Sequence, residues 1–296
     1  FCLSCSDDEQ DSGTKQPTTA GEVTFGVDLT GFSTRVTQDG SSWNDGDKIG
    51  TYVLDMKTLE PVTEAANVPY VCSEEGASVS FTSTTPLKVQ NDGTPVKFVA
   101  YYPYNADVRN FNYPVQLAAQ ERGSTACDLL YAATKEEYTY SPENEPHISL
   151  NFTHRLAKVI LKFVNMEKEP LEVSDVRIEG MQTAASFNIQ TDVLTVDESS
   201  VATINPYHNA TTGFYEAIIL PSALTDSYKV SFVLDDREKE WIFTNLDIAL
   251  PQFHKGYSYT FALYIDDSGF VEMGRLENVE GGNSSAPWED GSSEDG

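Results

Sequence analysis

The stretch Tyr257-Ser258-Tyr259-Thr260-Phe261-Ala262-Leu263-Tyr264-Ile265 alternates larger apolar side chains with others over nine uninterrupted residues. A period of two places Tyr257, Tyr259, Phe261, Leu263 and Ile265 on one face of an extended strand, so that face is expected to be core. The same scheme recurs at Tyr228, Val230, Phe232 and Leu234, and again at Ala157, Val159, Leu161 and Phe163. On the other side of that last strand Leu156 and Ile160 share the face with Lys158 and Lys162, which predicts partial cover there. Further strands are expected over 23–29, 49–54, 68–72, 97–102, 173–179, 214–220 and 240–244, with Gly, Pro, Asn and Asp between the runs. Almost nothing repeats at helical spacing, and one short helix is expected around 115–122. The chain is therefore read as all-β, built of packed antiparallel sheets in place of a parallel sheet with crossover helices.

With 296 residues, 40% of them hydrophobic, the chain can bury a sizeable core and exceeds the usual single-domain length. Two β domains are expected, over 23–142 and 143–275, with the boundary in the 136–146 loop that carries Tyr138, Tyr140 and Pro142. Nineteen basic residues against 46 acidic ones leave a net charge of −27, a field that repels phosphate backbones and anionic lipid, so nucleic acid is not an expected partner. No run approaches the ~20 apolar residues of a membrane-spanning helix.

The first residues, Phe1-Cys2-Leu3-Ser4-Cys5-Ser6-Asp7-Asp8-Glu9, join an apolar scrap to an acidic run at a cysteine. This reads as a lipoprotein junction in which Cys5 is the lipidated residue, although Leu3 stands one place nearer the cysteine than the common pattern has it. The expected anchor is then lipid in an outer membrane, with 1–22 holding the signal remnant, the lipidation site and an acidic tether. At the other end, residues 276–296 contain six acidic and no basic side chains and are expected to form a flexible acidic tail.

Chemistry-bearing motifs are scarce. His147, His154, His208 and His254 include no pair at metal-ligand spacing, and neither a Cys/His cluster nor a Gly-x-Ser-x-Gly elbow occurs. His154, at the head of an apolar strand, is read as a structural histidine. Asn44-Asp45-Gly46-Asp47 lacks the spacing of a calcium loop and is read as a tight turn. Cys72 and Cys127 are each read as a small buried side chain, with a long-range disulfide as the alternative. Catalytic residues, metals and cofactors are expected to be none. Tyr101-Tyr102-Pro103-Tyr104, with Tyr138 and Tyr140, offers rings suited to a sugar face, and equally suited to a strand. Arg35 lies in a polar link between the first strand and Trp43, where extended backbone would admit a protease.

Four segments, taken in order, resemble the fimbrillin-like (Mfa-like) family, the type V pilins of Bacteroidetes. They are Thr34-Arg35 followed by Trp43-Asn44-Asp45-Gly46-Asp47-Lys48-Ile49-Gly50; Val99-Ala100-Tyr101-Tyr102-Pro103-Tyr104; Leu150-Asn151-Phe152-Thr153-His154-Arg155-Leu156-Ala157-Lys158-Val159; and Lys255-Gly256-Tyr257-Ser258-Tyr259. The resemblance implies two tandem transthyretin-like β-sandwich domains and a non-enzymatic role as a pilus subunit or a tip or accessory adhesin at the cell surface. It also implies that an arginine-specific surface protease cuts at Arg35, and that the groove left by the first strand accepts a strand from another pilin subunit. The donor is expected from the C-terminal region, where 270–279 is the one apolar stretch and Gly274 breaks its alternation. A host or bacterial receptor or glycan is the expected adhesion partner. The alternative reading is a surface glycan-binding lipoprotein with tandem β-sandwiches that present tyrosines.

Overall fold

The structure is a computed structural model, and it describes residues 20–28, 43–63, 66–76, 78–120, 123, 127–143, 145–246, 250–268 and 271–281. In chain order the strands are β1 (Ala20–Glu22), β2 (Thr24–Asp28), β3 (Lys48–Asp55), β4 (Val68–Cys72), β5 (Ser78–Thr82), β6 (Lys88–Gln90), β7 (Val96–Tyr102), β8 (Asn112–Gln116), β9 (Leu130–Ala133), β10 (His147–Leu150), β11 (Thr153–His154) and β12 (Ala157–Asn165). They continue with β13 (Ser174–Glu179), β14 (Ala184–Asn188), β15 (Val193–Val196), β16 (Tyr207–Asn209), β17 (Phe214–Ile219), β18 (Ser222–Ala223), β19 (Lys229–Leu234), β20 (Arg237–Ile242), β21 (Gln252–Phe253), β22 (Tyr257–Ile265) and β23 (Val271–Gly281). The fold is all-β, with no α-helix among the described residues.

Eight strands form the first sheet in the order β10-β2-β5-β4-β3-β7-β9-β11. Its two end strands are neighbours in sequence, because Leu150 closes β10 and Thr153 opens β11. Three Cα steps reach about 10 Å at most, so the sheet must curl until its ends nearly meet. Inside the curl lies a core containing Phe25, Trp43, Tyr70, Phe81, Phe98 and Phe152, all essentially without exposed surface. Strands β3 and β7 are buried on both faces: Val53 and Phe98 point into that core, while Tyr52, Leu54, Val99 and Tyr101 point outward into a second layer.

That outer layer is closed by a three-stranded sheet, β15-β14-β8, in which β8 pairs antiparallel with β14 from Asn112↔Asn188 to Gln116↔Ala184. The helix expected around 115–122 is thus not formed over its first residues. Val115 and Leu117 are buried and Gln116 between them is exposed, a period of two that pairing with β14 stabilises. The remaining strands build a sandwich. The five-stranded sheet β16-β17-β12-β22-β23 faces β13-β19-β20 across a core of Val159, Leu161, Phe163, Val230, Phe232, Tyr259, Phe261 and Leu263. Strand β12 runs parallel to β22 from Lys158↔Ser258 to Asn165↔Ile265, although about a hundred residues separate them.

Two expected boundaries differ from the strand positions. Residues 147–154, expected to belong to the second domain, form β10 and β11 of the first sheet, and the chain enters the second sheet at Ala157. Residues 276–281, expected in the tail, belong to β23 and pair with β22. Cys72 and Cys127 are free thiols; the Cys72 Sγ–H donates to the Glu74 carbonyl at 2.8 Å.

Candidate functional site

The candidate site is built around β2, an interior strand of the first sheet. Alternation puts Val23, Phe25 and Val27 on one side of the backbone, and all three are buried at 0–2% exposure. Strand β2 does not lie at an edge. It pairs antiparallel with β5 (Phe25↔Phe81, Val27↔Val79) and parallel with β10 (Thr24↔His147, Val27↔Leu150). Phe25 meets Tyr70 edge-on at 4.8 Å and Phe98 at 5.9 Å. Burying each such side chain contributes about 1.5–3 kcal/mol, so β2 is held firmly without any covalent tie at that point.

Polar groups line the seat as well. The Tyr70 hydroxyl donates to the Val23 carbonyl at 2.9 Å and accepts from the Leu87 N–H at 2.8 Å. Burial pushes that phenol up to about 12, with the Leu87 hydrogen bond working the other way. Val23 N–H donates to the Leu87 carbonyl and Thr24 N–H to the Pro146 carbonyl, both at 2.9 Å. Two glycines set the fit. A Cβ at Gly21 would stand 2.4 Å from the Tyr140 ring, and one at Gly26 would stand 2.7 Å from His147 Nε2. Below Gly21, β1 pairs with β6, and Glu22 meets Lys88 at 3.2 Å.

The slot between β5 and β10 was only half visible in the sequence. Alternation at Val23, Phe25 and Val27 marks the strand; nothing local marks its parallel partner more than a hundred residues away, nor the seats offered by Tyr70, Tyr140 and His147. Cys5 and Arg35 both lie outside the described residues. In sequence Arg35 falls in the link from Asp28, the end of β2, to Trp43.

The motif residues play structural parts. Trp43 is fully buried against Phe81, Tyr102 and Phe152 at 5.1–5.5 Å. Asn44 to Asp47 form the expected turn: Gly46 takes φ +87°, and its N–H donates to the Cys72 carbonyl at 2.9 Å. Asp47 accepts from the Asn44 N–H at 2.7 Å and from the Tyr102 hydroxyl at 3.2 Å, and burial raises its carboxyl despite these bonds. His154 Nδ1 lies 2.8 Å from the Asp128 carboxylate, as a buried structural histidine should. The tyrosines expected on the surface are not presented there. Tyr101 is fully buried, Tyr140 is 8% exposed beneath Gly21, and Tyr138 is half-buried with its ring 5.6 Å from Phe98. All three rings pack into or against the hydrophobic cores of the curled sheet and the layer over it.

The fold has relatives among solved structures. A candidate cell adhesion protein from Bacteroides uniformis superposes with a TM-score of 0.70 at 22% identity, over 88% of this chain and 97% of that one. One from Bacteroides ovatus gives 0.62 at 15% identity, over 93% and 100%. A fimbrial assembly protein from Parabacteroides distasonis gives 0.54 at 12% identity, over 89% and 94%. At such identities the likeness is one of fold. Among curated proteins no relative matches. The sequence model of the fimbrillin-like family matches residues 34–288, which is most of the chain and spans all four of the recognised segments from Thr34 to Tyr259. On that match, the chain belongs to the fimbrillin-like family.

Proposed function

We propose that this protein is a structural subunit or a tip or accessory adhesin of a type V pilus, carried to the outer surface as a lipoprotein through Cys5 and assembled by strand exchange. In this reading the chain is a pair of transthyretin-like units, β1 and β2 are a temporary plug, and Arg35 is where an arginine-specific protease cuts. Family membership and the fold relatives named for adhesion and fimbrial assembly support the reading.

One observation carries the mechanism: β2 is an interior strand whose connection to the rest of the chain runs through the link that holds Arg35. Once that link is cut, β1 and β2 stay in place by burial and hydrogen bonds alone. Their exit leaves β5 and β10 with unpaired backbone groups on either side of an apolar slot, and such an edge recruits a strand from another molecule. The donor assigned to the C-terminal region is β23, an edge strand of its own sheet. No enzymatic step by this protein is involved.

The test is limited digestion of the full chain with an arginine-specific protease, with mass spectrometry of the new N-terminus and light scattering of the product. The expected result is selective cleavage after Arg35 with growth of oligomers, and an Arg35→Ala chain of unchanged thermal stability that does neither. Cleavage after Arg35 that leaves a stable monomer, or an Arg35→Ala chain that still polymerises under protease, overturns the mechanism.

A further inference from the structure

Away from the β2 slot, a half-open pocket of about 450 Å³ is lined by Tyr52, Asn67, Tyr104, Arg109, Asn110 and Phe111, among others. Its volume falls within the roughly 300–1,000 Å³ of small-molecule sites. Three features of its lining bear on what it can hold.

The first is Tyr52. Only 3% of its surface is exposed, yet its hydroxyl has no hydrogen-bond partner among the described residues. The oxygen itself is not sealed away, so it can bond water or a ligand in the pocket. Burial pushes this phenol up to about 12; the neighbouring Tyr104 raises it further and Arg109 opposes.

The second is Arg109. Its Nη1 donates to the Ala106 carbonyl at 2.7 Å and to the Val108 carbonyl at 2.8 Å, which fixes the guanidinium. In a chain with 46 acidic residues, no described carboxylate pairs with it. Those bonds leave Nε and Nη2, the side of the guanidinium that grips both oxygens of a carboxylate.

The third is the backbone. Asn67, Asn110 and Phe111 all take left-handed φ, at +53°, +51° and +62°. Asn110 and Phe111 are the central pair of a tight turn closed by the Arg109↔Asn112 bridge, a turn type that takes left-handed φ at both positions. Phe111 is held further in two ways. The Ile189 N–H donates to the Phe111 carbonyl at 2.8 Å, and the Tyr52 ring packs on the Phe111 ring with centroids 4.7 Å apart. Asn67 is held likewise, accepting from the Tyr101 hydroxyl at 2.7 Å and donating to the Asn105 carbonyl at 2.9 Å. The pocket walls are built before any ligand arrives.

We infer that this pocket binds a carboxylate-bearing sugar residue of a glycan chain, with Arg109 on the carboxylate, the Tyr52 hydroxyl on a sugar hydroxyl, and the Tyr104 and Phe111 rings against the sugar's C–H face. A planar fork, a lone hydroxyl and aromatic surface are the groups an acidic sugar needs, and a neutral sugar has no use for the fork. None of these residues belongs to β1, β2 or their seat, so the inference stands apart from strand exchange.

The experiment is saturation-transfer NMR and calorimetry on the full chain with glucuronic acid and N-acetylneuraminic acid, using glucose and galactose as neutral controls. The expected result is binding of at least one acid about tenfold or more tighter than the neutral sugars. Arg109→Gln, an exposed position, should remove that discrimination at unchanged thermal stability. Tyr52→Phe should weaken the bound acid while leaving the charge discrimination. Absence of binding by both acids overturns the inference, as do equal binding of acids and neutral sugars and an Arg109→Gln chain that binds the acids undiminished.

Discussion

Lys158 and Glu216 form a buried ion pair at 2.5 Å on the face of β12 opposite its main core, where lysines on an apolar strand predicted partial cover. Three residues earlier along the same run, Arg155 holds Asp192 at 2.5 and 3.0 Å and lies 4.7 Å over the Tyr131 ring, tying the β14–β15 hairpin to the first sheet. Stripping one partner from a buried pair leaves an uncompensated charge, so Glu216→Gln should lower stability by about 3–5 kcal/mol. Replacing both, with Lys158→Met and Glu216→Leu, should cost less than the single change, as urea midpoints will show. Gly50 makes a second point at this scale. A Cβ there would stand 2.2 Å from the fully buried Tyr101 ring, so Gly50→Ala should cost about 1–3 kcal/mol by overpacking, with Tyr101→Leu relieving part of it in a double-mutant cycle. The glycine itself stood out in the sequence; the ring that requires it did not, because contacts across a sheet leave no local trace.

Among the elements, β2 is an interior strand held by strong burial. Phe25→Ala removes a fully buried ring beside Tyr70 and Phe98 and should cost about 3–5 kcal/mol. Hydrogen exchange should then quicken first in β5 and β10, the strands that β2 joins, before the sandwich of the second core responds. If every amide quickens equally, β2 is not a separable element and its role as a plug fails. Gly21 tests the fit of the seat: Gly21→Val should displace β1 from β6, and Tyr140→Ala should restore the pairing by vacating the space.

Across the whole molecule, buried tyrosines make stability sensitive to alkali. Tyr52, Tyr70, Tyr113 and Tyr131 are each pushed up to about 12, with burial the leading cause in every case. In the unfolded chain these phenols ionise near pH 10, whereas the folded chain keeps them neutral until about pH 12. Through that window the unfolded state has released protons that the native state retains, so stability falls as pH rises and is unaffected by these groups below it. Urea midpoints at about pH 9 and about pH 11 should show the drop, and Tyr113→Phe should shrink it. The charge of −27 adds a second lever: moderate salt should raise the melting temperature by screening self-repulsion.

Sequence by itself determined the all-β character, because a period of two runs through β12, β19 and β22, and the larger side chains it selects fill one core. It also marked the family segments and the interior face of β2, since burial on a strand is written in its own alternation. Where β2 pairs was decided only by the tertiary structure. A strand with one apolar face can lie at an edge or inside a sheet, and only the return of His147–Leu150 from far along the chain puts it inside. The same holds for residues 112–116, whose short alternation around Pro114 could not outweigh a helical reading until β14 supplied the partner. It holds again for the pocket at Tyr52 and Phe111, where a local turn meets the Ile189 N–H from far along the chain. Local patterns specify which side of a strand is buried; pairing across more than a hundred residues is chosen by the free energy of the assembled layers, and no short window contains it.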